Sequence, residues 1–167
     1  MERSTTSRRA GPERAQEHPL GDSGQIALIA LFIIVWIADS FILRRTTWIS
    51  AFCPLWMRLP PALIVSLSGL ALLRSHSAGY ARLGVSLCVA GAYRRIRHPV
   101  YLSVVLIILG MALSTLSVSA FCAWISLFAF YNRIAAYEEK KLVEAFGDAY
   151  RDYMEKTPRW IPRIGRA

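Results

Sequence analysis

The chain has 167 residues, of which 54% are hydrophobic and 19% charged, and its formal net charge is +9. That length suits one domain, and so apolar a composition excludes a soluble enzyme with a single buried core, which would be about a quarter charged. It equally excludes a disordered basic chain, which would be poor in Leu, Ile and Val. The positive charge is segregated from long apolar runs. That distribution points to a membrane protein, and no nucleic-acid partner is expected.

Residues 1–24 are polar, lack apolar periodicity and read as a disordered tail. The first apolar run begins only at Ile26 and ends in no small-residue cleavage signal, so a signal peptide is not expected. Ile26 to Leu43 has the length of a membrane crossing. Asp39 near its end is expected to be an interfacial carboxylate close to Arg44 and Arg45, with a functional intramembrane acid as the alternative. Trp48 to Leu73 is less regular, because Arg58 and the pair Pro60-Pro61 divide it. Its clean part, Leu59 to Leu73, is short for a span and extends backward through Trp56 or lies tilted.

Arg74 to His98 reads as a connection, with Gly79, Gly84 and Gly91 and a mildly apolar middle at Ala81 to Ala90. From Pro99 to Asn132 there is no Asp, Glu, Lys, Arg or His. Val100 to Tyr131 is too long for one crossing and short for two. The sequence Ser114-Thr115-Leu116-Ser117-Val118-Ser119 suits a turn between two helices, the second continuing past Arg133. Such a hairpin puts the basic segment at 94–97 and the basic C-terminal tail on one side, as the positive-inside rule favours. In residues 133–167, Leu142, Phe146, Tyr150 and Tyr153 recur at helical spacing. The spacing predicts an amphipathic helix, interrupted at Gly147 and ended by Pro158, with Trp160 as a membrane-surface anchor. Cys53, Cys88 and Cys122 are odd in number and widely spaced. They form neither a disulfide framework nor a zinc site, no metal is expected, and each reads as a small buried apolar residue.

Two polar clusters flank the hairpin, G-A-Y-R-R-I-R-H-P-V-Y at 91–101 and R-I-A-A-Y-E-E-K-K-L at 133–142. The hairpin brings them together at the mouth of an apolar bundle, a place for a ligand with a charged head and a lipid-like body. Plainer readings stand beside this one. Arg94, Arg95 and Arg97 are also ordinary positive-inside anchors. His98 before Pro99 is also a helix cap, and Glu138 and Glu139 are also a solvated face pairing with Lys141.

Taken together, the clusters resemble the isoprenylcysteine carboxyl methyltransferase family and, more broadly, the membrane methyltransferases that include the phospholipid N-methyltransferases. The resemblance runs over roughly residues 85–162. Its carriers are G-x-Y at Gly91 and Tyr93, R-H-P-x-Y at Arg97 to Tyr101 and E-E-x-x-L at Glu138 to Leu142. F-G-x-x-Y-x-x-Y follows at Phe146 to Tyr153 and P-R-x-I-P at Pro158 to Pro162. The resemblance implies an integral-membrane enzyme that uses S-adenosylmethionine. It implies that the cofactor is held by Val85, Ser86, Leu87 and Cys88, by Tyr93, by His98, Pro99, Val100 and Tyr101, and by Glu138. It also implies a catalytic role for Glu138 and for Arg133, the latter approaching the acceptor group.

The expectation is therefore an all-α, polytopic transmembrane bundle of about four spans with a cytoplasmic C-terminal amphipathic helix. Residues 1–24 form the tail and 25–167 the membrane domain, with C-terminus and site facing the cytoplasm. The expected partners are the lipid bilayer and a lipid-like or prenylated small substrate. The expected reaction is carboxyl O-methylation, with phospholipid amine N-methylation or a non-catalytic assembly role as alternatives. No glycine-rich turn after a strand and no strand-helix alternation supports a soluble methyltransferase fold.

Overall fold

A segment crossing a bilayer must satisfy every backbone N–H and C=O internally, and the apolar runs here do so as helices. The computed structural model describes residues 21–80 and 91–162. Helix α1 (Gly21–Ile37) continues into a π-helical stretch, Ala38–Leu43; α2 spans Leu55–Tyr80, α3 Pro99–Thr115, α4 Val118–Phe146 and α5 Asp148–Lys156. Short 3₁₀ turns occupy Trp48–Ala51 and Gly91–Arg94. Ser23–Leu43, Leu55–Ser75 and Val118–Phe146 are long and apolar enough to cross a membrane, and Pro99–Thr115 is a shorter apolar helix. The expected all-α bundle is thus what the chain forms.

Most residues of the expected tail lie outside the described part, but α1 begins at Gly21, inside the predicted boundary. A first helical turn needs no apolar residue, so hydropathy alone places such a start late. The largest correction is in α2. Pro60 and Pro61 lie inside this helix and do not divide it. They fall in its second turn, so the carbonyls they leave without partners are those of Trp56 and Met57, both exposed residues near the helix start where solvent reaches them. The helix also runs past Arg74 to Tyr80. The Ala81–Ala90 segment lies outside the described residues.

In the bundle, α2 packs on α3, α3 on α4 and α4 on α1. Phe32, Val105, Ile108, Ala112, Ala120, Leu127 and Tyr131 form the buried centre, while Ile26, Ile34, Ile64 and Leu67 point outward where lipid chains would lie. The α2–α3 contact is a small-residue interface. A Cβ on Gly69 would stand 2.7 Å from the Ser103 carbonyl, and one on Gly110 would stand 2.0 Å from Ser66 Oγ and 2.6 Å from the Ala62 carbonyl. Gly110→Val should therefore force α2 and α3 apart at a cost of about 2 kcal/mol, read as a lower thermal midpoint in detergent. An unchanged midpoint would contradict this packing.

The hairpin turns within the predicted Ser114–Ser119 stretch. Leu116 takes the left-handed conformation (φ 52 is found at Arg44, φ 51 here), and Ser117 caps α4 by accepting from the Ala120 N–H. Asp39 differs from expectation. It pairs with neither Arg44 nor Arg45. The π-helical turn carries it inward, where it is buried and accepts from Thr46 N (3.1 Å), Thr46 Oγ1 (2.5 Å) and Ser117 Oγ (2.5 Å). With Ser40 Oγ donating to Thr115 Oγ1 (3.0 Å) and Trp36 Nε1 to the Met111 carbonyl (3.1 Å), it ties the end of α1 to the hairpin turn. The cysteines also depart from expectation. Cys122 is exposed and Cys53 half-buried, while Cys88 lies outside the described residues. An exposed Cys on a bilayer-facing helix meets lipid, so its apolar character is used there and not in the core.

Candidate functional site

The end of the bundle opposite the hairpin turn gathers both polar clusters. His98 stands at the N-cap of α3 with Pro99 at the first helical position, where the missing N–H costs nothing. Its side chain makes no capping bond, so the cap reading does not explain the imidazole. Tyr101 follows one turn later and stacks on it, ring centroids 5.5 Å apart. Helix α4 runs beyond its apolar part and presents Glu138 and Glu139 to these residues. Gly147, at φ 58 and ψ −130, then ends α4 in a conformation that favours glycine and starts α5 at a new angle. That bend buries Tyr150 and Tyr153, and Tyr153 donates to the Tyr93 carbonyl at 2.6 Å. The segment after Pro158 crosses back over the cluster, with the Arg97 N–H donating to the Pro158 carbonyl at 3.0 Å.

Glu139 is the hub. It is buried among three basic groups. His98 Nε2 lies 3.1 Å from its Oε1, and Arg159 Nε donates to the same oxygen at 2.9 Å. Arg159 Nη2 donates to Oε2 at 2.5 Å. Arg97 Nε is 3.3 Å from Oε1, near enough for an ion pair but without hydrogen-bond alignment. Arg159 also reaches Asn132 Oδ1 through Nη1 at 3.1 Å, and Trp160 Nε1 donates to that same oxygen at 3.1 Å. The Glu139 carboxylate raises the Arg159 guanidinium further above its already high range and keeps it charged. Burial, and next the charge of Glu139, pushes the Tyr150 hydroxyl up, so Tyr150 stays neutral and acts as packing.

Glu138 is the more exposed of the two glutamates. Its side chain is 25% exposed, it accepts a short hydrogen bond from the Tyr101 hydroxyl, and its Oε2 lies 3.6 Å from His98 Nδ1. The pairing of the two glutamates with Lys141 is not formed; Lys141 pairs with Glu144 at 3.1 Å. Aromatic rings close the inner side. Tyr131 lies 5.0 Å from Tyr101, and Trp160 lies 6.0 Å from His98 and 5.5 Å from Phe128. Trp160 is thus a wall of the cluster, half-buried, and not simply a surface anchor.

The structure brings together Tyr93, His98, Pro99, Val100, Tyr101 and Glu138 at this end. Pro99 is buried, Val100, Tyr93 and Tyr101 are half-buried. Val85, Ser86, Leu87 and Cys88 lie outside the described residues. Arg133 is not brought to the cluster. It is exposed, α4 is regular around it, and five residues of helix turn it about 140° away from Glu138. The cation at the glutamates comes instead from Arg159, with Arg97 beside it. Sequence reading gave Glu139 only as part of a solvated face and Arg159 only as part of a motif, and it gave Asn132 no role; none of the three was expected at the site. A signal was present for two of them, since Asn132 and Glu139 are seven residues apart and share one face of α4.

S-adenosylmethionine carries a sulfonium, an ammonium, a carboxylate and an adenine ring, and the donor set here matches those groups in kind. Glu138 offers a partly exposed carboxylate to a cation, and the Arg94 and Arg95 guanidinium groups stand exposed at the rim for an anion. A protein-family model described as phospholipid methyltransferase matches residues 62–149, just over half of the chain. No curated protein matches the chain. The matched range holds α2 from Ala62 onward, α3, α4 and both polar clusters, and it stops before Arg159.

Proposed function

We propose, from the premise that this chain belongs to the phospholipid methyltransferase family and is a membrane methyltransferase using S-adenosylmethionine, that it methylates the carboxylate of a lipid-like acceptor to give an ester. When bound, the cofactor supplies an electrophilic methyl group on a sulfonium. Methyl transfer is an in-line displacement, so the protein's task is mainly alignment. In this reading Glu138 and Tyr101 would hold the cationic side of the cofactor together with Tyr93, His98, Pro99 and Val100, and Val85, Ser86, Leu87 and Cys88, which lie outside the described residues, would contribute as the sequence resemblance implies. The rim arginines Arg94 and Arg95, exposed at this end, draw an anionic acceptor toward the site, while Arg133 points to another face of α4.

One observation carries the choice of a carboxylate. Both ring nitrogens of His98 face carboxylate oxygens, Nε2 at 3.1 Å and Nδ1 at 3.6 Å. Each ring nitrogen therefore faces one of the protein's own carboxylates, Nε2 within hydrogen-bond distance, so His98 is placed to orient the two glutamates and not to take a proton from an incoming group. An amine acceptor must lose a proton to a base before or during transfer. A carboxylate at pH 7 needs none. The test supplies the purified protein in detergent with methyl-labelled cofactor and, in separate samples, a prenylated cysteine and phosphatidylethanolamine. Label on the prenylated cysteine that is released by mild base is the expected result. Base-stable label on phosphatidylethanolamine would replace this reading with amine methylation.

Charge also supports an orientation. Arg94, Arg95, Arg97 and the basic C-terminal segment lie at the site end, while Arg44, Arg45 and Arg58 are the basic residues near the hairpin-turn end. By the positive-inside rule this distribution favours a site on the cytoplasmic side. In a background with Cys53, Cys88 and Cys122 replaced by Ser, an impermeant thiol reagent on intact cells should label Phe52→Cys and spare Glu155→Cys; the opposite pattern would reverse the orientation.

A further inference from the structure

The hairpin-turn end holds a second feature with its own chemistry. A cleft of about 440 Å³ opens there between the end of α1, the start of α2 and the end of α3. Its polar lining includes Arg44, Arg58, Ser40, Thr47, Ser50 and Thr115. Among the described residues neither guanidinium is within ion-pair distance of a carboxylate. Asp39, the acid nearest in sequence, is committed to Thr46 and Ser117. Arg58 donates from Nη1 to the Thr115 carbonyl at 3.3 Å, while its Nε is buried with no hydrogen-bond partner. A buried guanidinium N–H without an acceptor is costly unless a ligand supplies one.

We propose that this cleft binds a phosphate group at the membrane surface, with Arg44 and Arg58 as its cationic ligands. The planar fork of arginine suits phosphate oxygens; the Ser40, Thr47 and Thr115 hydroxyls already donate within the protein, which leaves the Ser50 hydroxyl as a neutral donor on the lining. The cleft stands at bilayer-surface level, since Trp48 and Trp56 are exposed beside it in the manner of an aromatic belt. Phe41 and Leu55, both exposed, line it as well and give an acyl chain a surface to follow. The site lies at the opposite end of the bundle from the methyl-transfer cluster and does not depend on the reading of that cluster.

The test uses the full chain in detergent and measures retained phosphatidylglycerol by native mass spectrometry, with diacylglycerol as the phosphate-free probe and inorganic phosphate as competitor. The wild type should retain phosphatidylglycerol and not diacylglycerol. Arg44→Gln should weaken retention about tenfold, the scale of one lost charged hydrogen-bonding partner, and the Arg44→Gln/Arg58→Gln pair should weaken it further. Arg44 is exposed and makes no described side-chain bond, so its variant is informative even if loss of the Arg58 contact to α3 unfolds the pair. Retention that millimolar inorganic phosphate leaves intact identifies a lipid headgroup as the source. Displacement by inorganic phosphate identifies the free ion, and both agree with a phosphate site. Equal retention by wild type and Arg44→Gln, or equal retention of diacylglycerol, would overturn the proposal.

Discussion

Replacing Glu139 with Gln should destabilise the protein by roughly 3 kcal/mol, because breaking a buried charge pair strands its partners. Glutamine keeps the size of the side chain and removes only its charge. In the native arrangement that charge is shared by His98, Arg97 and Arg159. The side chains of Arg97 and His98 are themselves only 10% and 7% exposed, so neither can recover full hydration when the carboxylate is lost. The effect should be more than thermal. Glu139 joins the first turn of α3 to the segment after Pro158, and without it Arg159 and Trp160 lose the anchor that holds them over the cluster. Thermal unfolding in detergent should show the lower midpoint, and accelerated proteolysis after Lys156 or Arg159 should show the loosened C-terminal segment. A variant with wild-type melting and wild-type protease resistance would remove Glu139 from the centre of this arrangement.

Glu138→Gln should behave differently. Its side chain is partly exposed, so stability should change by less than about 1 kcal/mol, as for a surface ion pair. Cofactor affinity should fall by roughly ten- to a hundredfold, the range of one charge-assisted contact. The two neighbouring glutamates thus divide into one that holds the fold of the site and one that meets the ligand. Equilibrium titration of S-adenosylmethionine into each variant, alongside melting curves, separates the two roles. Equal losses of affinity and stability in both variants would contradict the division.

The fold was legible because a membrane imposes a strong constraint on sequence. The span from Ile26, the turn near Ser114–Ser119 and the passage of α4 beyond Arg133 all follow from how long an apolar run must be and how a chain reverses. What hydropathy misread was local. Pro60 and Pro61 act as breakers in a window of residue types, yet they sit where the helix start leaves their carbonyl partners exposed. Asp39 read as an interfacial charge because no pattern announces a π-helical turn, and that turn sets which way the carboxylate faces. At the site, His98, Tyr101 and Glu138 were legible as a meeting of two clusters once the hairpin was placed. Arg159 was not, because it reaches Glu139 across a bend at Gly147 and a second at Pro158. Spacing within one helix can relate Asn132 to Glu139, but it cannot relate either to a residue beyond two bends. Arg133 shows the converse. It is close to the glutamates in sequence, and five residues of regular helix turn it elsewhere.

The claim that the cluster at 91–101 and 133–142 holds the cofactor is tested most directly by location. Methyl-labelled S-adenosylmethionine cross-linked by ultraviolet light to the wild-type protein in detergent, followed by peptide mapping, should place the label in peptides from these two segments, and excess unlabelled cofactor should abolish it. Label confined to the Arg44–Leu59 end of the bundle, or label that excess cofactor does not compete away, would contradict the account.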